Sequence, residues 1–174
     1  MKKKLLLILL LPIVMIGLTG CGENKNTKKS ILLSDPVFGY ETSFKYDGKE
    51  SFSGIKNNLD GTSTSLEFKN EELDVEFQMY YTRMMKNSYD ESKKIRSKQK
   101  YYKEYKFGKY EAYSYGEYTS GLYLNILLDD YNETAKVLFV SIDRIDTNQN
   151  VVVADVLDKK LVKFFDTIEV IDID

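Results

Sequence analysis

The sequence predicts an α+β domain: a single domain with a twisted, mainly antiparallel sheet packed against two helices. Three observations predict it. Apolar and polar residues alternate through most of the chain after residue 37, the two-residue period of half-buried strands. Two windows break that period: residues 88–99 are polar and rich in helix formers, and residues 153–165 are apolar at spacings of three and four. The chain also carries 14 tyrosines and nine phenylalanines, all after residue 37, with no tryptophan and only two prolines. Aromatic, β-branched and proline-poor composition suits a pleated, half-buried surface.

The elements follow in order. VFGYETSFKY, 37–46, is a strand that ends at an Asp47-Gly48 turn. Asp60-Gly61 supplies the positive φ of a hairpin and leads into Leu66 and Phe68. Asn70-Glu71-Glu72 makes the next turn. Val75, Phe77, Met79 and Tyr81 then alternate with Glu76, Gln78 and Tyr80. Ser88 and Glu91 match a capping box, which starts a helix over 88–99. Strands follow at Tyr101 to Phe107 and Lys109 to Tyr118, with a turn near Ser120-Gly121. Leu122, Leu124, Ile126 and Leu128 line one strand face, Asp129 to Glu133 is a polar turn, and Leu138, Val140 and Ile142 line the next strand. After a loop from Asp143 to Asn150, Val153, Val156, Leu157, Leu161, Phe164 and Phe165 form the apolar stripe of a second helix. Asp155, Asp158, Lys159, Lys160 and Lys163 face outward from it. Thr167 to Ile171 closes the chain as a short strand.

The stretches LYLNILLDD, AKVLFVSID and DVLDKKLVKFFDTIEV resemble the PsbP-like fold, in which a late helix is followed by a terminal strand of the F-x-x-I type, here Phe165 to Ile168. The likeness is a pattern of apolar positions. It implies a fold and transfers no functional residue.

The first thirty residues carry a different signal. Lys2, Lys3 and Lys4 precede a charge-free run from Leu5 to Leu18. As a helix that run would extend roughly 21 Å, short of a hydrocarbon core of about 30 Å. A basic start, a short apolar run and small residues at its end describe a secretory signal peptide. Leu18-Thr19-Gly20-Cys21 resembles the bacterial lipobox. That resemblance implies a diacylglycerol thioether on Cys21, with Leu18, Thr19 and Gly20 read by a peptidase that cuts before the cysteine. The organisation expected is a lipoprotein signal peptide over 1–20, a lipidated cysteine and flexible polar tether over 21–33, and a globular domain over 34–174. The protein would then sit at the cell membrane, lipid-anchored, facing the extracytoplasmic side. One acyl chain binds a membrane only marginally, and a second makes attachment stable.

Composition narrows the chemistry. The full chain has a net charge of −2, and loss of Lys2 to Lys4 with the signal leaves the mature part more acidic. No basic excess points to nucleic acid as a partner. The single cysteine cannot form a disulfide within the chain. There is no histidine, which removes the commonest general base and any Ser-His-Asp arrangement. Ser92 to Lys94 and Ser97-Lys98 supply the residue types for Ser-Lys chemistry, at the frequency expected by chance. Asp146, Asn148 and Asn150 stand where an EF-hand loop begins, but Val151 replaces its glycine and Leu157 its final glutamate. No catalytic, cofactor-binding or metal-ligating set is therefore assigned, and no cofactor is expected. Asn132-Glu133-Thr134 matches a glycosylation acceptor by chance.

One concentration of charge stands out. Lys93, Lys94, Arg96, Lys98, Lys100, Lys103 and Lys106 surround Tyr101, Tyr102 and Tyr105. They are the candidate contact for an anionic surface, set against the plainer reading of a solvated helix face. The function expected is a non-enzymatic interaction module that meets an envelope protein or anionic polymer. The alternatives are an accessory solute-binding receptor and a hydrolase using acids alone.

Overall fold

The structure is a computed structural model that describes residues 28–47, 52–59, 64–116, 121–145 and 157–173. Its strands are β1 (Lys29–Asp35), β2 (Tyr40–Tyr46), β3 (Phe52–Leu59), β4 (Thr64–Asn70), β5 (Val75–Met85), β6 (Lys103–Phe107), β7 (Tyr110–Tyr115), β8 (Gly121–Asp129), β9 (Thr134–Arg144) and β10 (Glu169–Asp172). Helix α1 (Lys86–Arg96) lies between β5 and β6, and α2 (Lys159–Phe165) precedes β10. Seven strands form one sheet in the order β3-β4-β5-β9-β8-β7-β6, and three form a second in the order β1-β2-β10. Every paired neighbour is antiparallel. The domain is mainly antiparallel sheet with two helices, a single sheet-rich α+β unit.

The main core is sealed between the two sheets and α2. Alternation puts Leu66, Phe68, Val75, Phe77, Met79, Tyr81, Leu122, Leu124, Ile126, Leu138, Val140 and Ile142 on one face of the large sheet, all buried. Ile31, Leu33 and Phe44 of the small sheet and Leu161, Phe164 and Phe165 of α2 close over them. Rings dominate the contact. Phe68 stacks on Phe77 at 4.5 Å, Phe164 lies 4.6 Å from Phe52 and 5.0 Å from Phe44, and Phe107 lies 5.6 Å from Phe165. Polar links hold the sheets in register: the Tyr81 hydroxyl lies 2.6 Å from Thr42 Oγ1 and donates to the Leu33 carbonyl at 3.3 Å.

Helix α1 packs on the opposite face of the large sheet. Tyr89 is its one buried residue, and it joins Tyr113, Tyr115, Ala135 and Val137 in a second, smaller core.

Several expectations are corrected. Residues 29–33, expected as tether, belong to β1, with Ile31 and Leu33 fully buried against the core. The strand expected over 37–46 begins at Tyr40, because Asp35 anchors a turn through residues 36–39. Helix α1 starts two residues before Ser88, and no side chain caps it. Its N-terminal N–H, on Lys86, instead donates to the Glu133 carbonyl at 2.7 Å. Ser88 lies inside the first turn, so the capping box does not form. Helix α2 begins only at Lys159, with the Asp158 side chain accepting from the Lys160 N–H at 2.7 Å. Leu157 precedes that cap and is buried without being helical. Val153, Asp155 and Val156 lie outside the described residues, as do the Gly48 and Asp60-Gly61 turn positions. The single expected sheet is two, because β1, β2 and β10 pair only with one another.

Candidate ligand-binding surface on the open sheet face

The face of the large sheet turned away from the main core is covered over part of its width only. Register fixes what stands on it. Tyr80 of β5 is paired with Phe139 of β9, Phe139 with Asn125 of β8, and Asn125 with Tyr113 of β7. In the neighbouring row Gln78 pairs with Ser141, Ser141 with Tyr123, and Tyr123 with Tyr115. Two adjacent rows thus place aromatic rings from four consecutive strands side by side.

The rings touch in sequence. Tyr80 lies 4.8 Å from Phe139, Phe139 5.7 Å from Tyr123, Tyr123 5.3 Å from Tyr115, and Tyr115 5.8 Å from Tyr113. Exposure grades along the row: Tyr113 is 1% exposed, Tyr115 9% and Tyr123 37%. Helix α1 produces the gradient, since Tyr89 packs 5.7 Å from Tyr113 and the Arg96 guanidinium sits 4.7 Å from the Tyr115 ring. Beyond the helix, Tyr80, Phe139 and Tyr123 are left partly open.

Hydrogen-bonding groups frame the row. Asn125 Nδ2 donates to the Tyr113 hydroxyl at 2.8 Å, and Ser141 Oγ donates to Asp143 Oδ2 at 2.6 Å. Gly121 makes room for that carboxylate: a Cβ there would lie 2.5 Å from Asp143 Oδ1. Burial pushes the Tyr115 phenol up to about 12, against the opposing pull of Arg96. Burial, and then the neighbouring Tyr123, raises the Tyr80 phenol as well. Both hydroxyls stay protonated at neutral pH, which makes them hydrogen-bond donors and not bases or nucleophiles. The arrangement offers ring faces and neutral polar groups to a ligand. That is binding chemistry.

Of the seven cations predicted from sequence, Lys93, Arg96, Lys100 and Lys103 have side-chain partners. Lys93 reaches Glu104 at 3.3 Å, and the Tyr102 hydroxyl donates to the same carboxylate at 2.5 Å. The Tyr102 bond, and then Lys93, holds Glu104 below the ordinary carboxylate range. Arg96 covers Tyr115, Lys100 lies 4.9 Å from the Tyr101 ring, and Lys103 lies 5.3 Å from the Tyr105 ring. Lys94, Lys98 and Lys106 are exposed. Strand periodicity sends Lys103 and Lys106 to opposite faces of β6, an edge strand of the large sheet. Edge lysines discourage pairing with a foreign strand. Asp129 stands at the end of β8, 3.8 Å from Lys136.

Leu18, Thr19, Gly20 and Cys21, with Asp146, Asn148 and Asn150, lie outside the described residues. Among the described residues, no three of His, Cys, Asp and Glu are grouped to hold a metal ion, and no helix is long and apolar enough to cross a membrane.

Sequence reading missed the aromatic row, having placed Tyr80 simply as an outward residue. The available signal was parity: Tyr80, Tyr123 and Phe139 each occupy the outward position of a strand whose inward positions are apolar. No family model, curated protein or solved structure matches the chain.

Proposed function

We propose that the chain is a lipid-anchored, non-enzymatic binding module of the bacterial cell envelope, held through Cys21, and that Tyr80, Phe139 and Tyr123 form its ligand surface. The observation that carries the reading is the aromatic row, left open where α1 stops. Exposed aromatic side chains that adjoin one another, with polar groups around them, mark interaction sites on soluble domains. The ligand class is an extended envelope polymer, whose rings or chain would lie across the strands on the Tyr80, Phe139 and Tyr123 rings and bond to the exposed Gln78. A PsbP-like assignment of the domain belongs to the same proposal, supported by the order of α2 followed directly by the terminal strand β10.

Two measurements test the halves separately. Cys21→Ser should abolish labelling by radioactive lipid and leave uncleaved precursor in cells; normal processing of that variant would refute the anchor. For the surface, the purified chain is bound to isolated cell-wall polymer. Tyr80→Ala with Tyr123→Ala should weaken retention by about 2 kcal/mol, roughly 30-fold, as for buried aromatic contacts. Wild-type retention by a folded double variant would remove the surface from the proposal.

A further inference from the structure

A hollow of about 430 Å³ lies on the other side of the large sheet from the aromatic row. Lys28 just before β1, Lys45 and Tyr46 at the end of β2 with Asp47 just after it, and Lys163 and Phe164 at the end of α2 with Thr167 just after it line the hollow. Its walls are fixed. The Thr167 hydroxyl accepts the Lys45 N–H at 2.8 Å and lies 2.7 Å from the Phe164 carbonyl, which ties β2 to the end of α2. Phe164 and Tyr46 are buried core residues, so the floor is apolar and the rim is cationic. Of the three lysines, Lys45 is engaged by Glu169. Lys28 and Lys163 are exposed, and among the described residues neither meets a carboxylate. Among the described residues, Asp47 is the one acid in the lining.

We infer that this hollow seats anionic phospholipid headgroups and sets the domain's orientation on the membrane. The inference rests on the proposed anchor at Cys21. Lys28 stands only seven positions after Cys21 in the chain, and seven residues extend at most about 25 Å. Lipidation there would hold the mouth of the hollow within that distance of the bilayer surface. A lysine near an anionic surface contributes about 1 kcal/mol, or roughly fivefold in binding. Lysine stems can lie along an apolar floor while their ammonium groups reach phosphate. With the hollow against the headgroups, the aromatic row on the opposite sheet face points away from the membrane, toward the polymer it is proposed to bind.

The test uses the full chain as cells process it. The mass of its N-terminal peptide reports whether Cys21 carries lipid. The protein is then mixed with phosphatidylcholine vesicles, with or without phosphatidylglycerol, and amine labelling is followed at Lys28, Lys163, Lys94 and Lys98. Labelling of Lys28 and Lys163 should slow about fivefold when phosphatidylglycerol is present, while Lys94 and Lys98 keep their rates. Equal rates in both vesicle types, or equal slowing at all four lysines, would overturn the inference. The labelling is read whichever mass is found. An unlipidated Cys21 sinks the anchor, and a lipidated Cys21 without selective protection sinks the hollow alone.

Discussion

The Asp35 carboxylate accepts three backbone N–H groups: Val37 at 2.9 Å and Phe38 at 3.2 Å on Oδ1, and Thr64 at 3.2 Å on Oδ2. The first two shape the turn between β1 and β2. The third crosses to the first residue of β4, so one side chain that is 1% exposed joins the small sheet to the large one. Replacing it strands buried donors, which costs more than the bonds themselves contribute. Asp35→Ala should lower stability by about 3 kcal/mol in denaturant unfolding. Asp35→Asn, which keeps one acceptor oxygen for the turn and presents an NH₂ to Thr64, should lose less. Equal stability of all three proteins would show that the turn holds without the carboxylate. Nothing in the sequence around Asp35 marks this role, because the partner strand lies about thirty residues away.

Of the two helices, α1 is the less supported. It has one buried residue, no side-chain cap and no acid in its first turn, although Lys93, Lys94 and Arg96 suit the negative end of its dipole. Met85 occupies the cap position with extended backbone at φ −61° and ψ 139°, and it is 54% exposed. Met85→Asp would place a carboxylate at the positive end of the helix dipole, beside the Asn87 N–H. It should raise stability by about 1 kcal/mol; an unchanged or lower thermal midpoint would count against the cap. The same helix shows why sequence reading succeeds and fails. Strands β5, β8 and β9 were legible because each buries one face, and two-residue alternation is the direct result. Strand β1 was missed since KSILLSD continues a polar tether and holds too few residues to display a period. Strand β3 gave no signal because it is an exposed edge, broken by a bulge in which Gly54 takes φ +64°. Ser88 and Glu91 had the spacing of a capping box, but pairing of β5 with β9 through Met85 and Thr134 sets where the strand stops and the helix starts. Tertiary contacts decided that boundary. The open aromatic row depends on register between four strands, which no local pattern contains.

At the scale of the whole molecule, the first and last strands of the described residues share one sheet: β1, β2 and β10 make the small sheet that closes the core. Opening either of those strands exposes the same ring cluster, so unfolding should be a single cooperative step. Buried phenols give the fold's stability a dependence on alkaline pH. Burial raises Tyr81 and Tyr89, the first in the main core and the second under α1, and it raises Tyr80, Tyr102 and Tyr115 too. In the unfolded chain these groups ionise near their ordinary value of about 10. Between that value and the folded one, the unfolded state has released protons that the folded state still holds, so stability falls as pH rises. The stabilisation is complete below about pH 10 and is lost above it, with Tyr115 following at about 12. Each phenol contributes at most about 1.4 kcal/mol per pH unit within its window, and the partly exposed Tyr80 and Tyr102 contribute less because water screens them. Glu104 has the opposite sign: its lowered pKa stabilises the fold above the ordinary carboxylate range, and that small surface contribution fades in acid. Thermal melts followed by circular dichroism should therefore be level through neutral pH and drop steeply above about pH 10. Near-ultraviolet tyrosinate absorbance recorded on the same samples should show one set of phenols ionising early and a second set ionising only as the helix and sheet signals collapse. Ionisation of all fourteen tyrosines near pH 10 with the circular dichroism intact would mean that the ring clusters admit water.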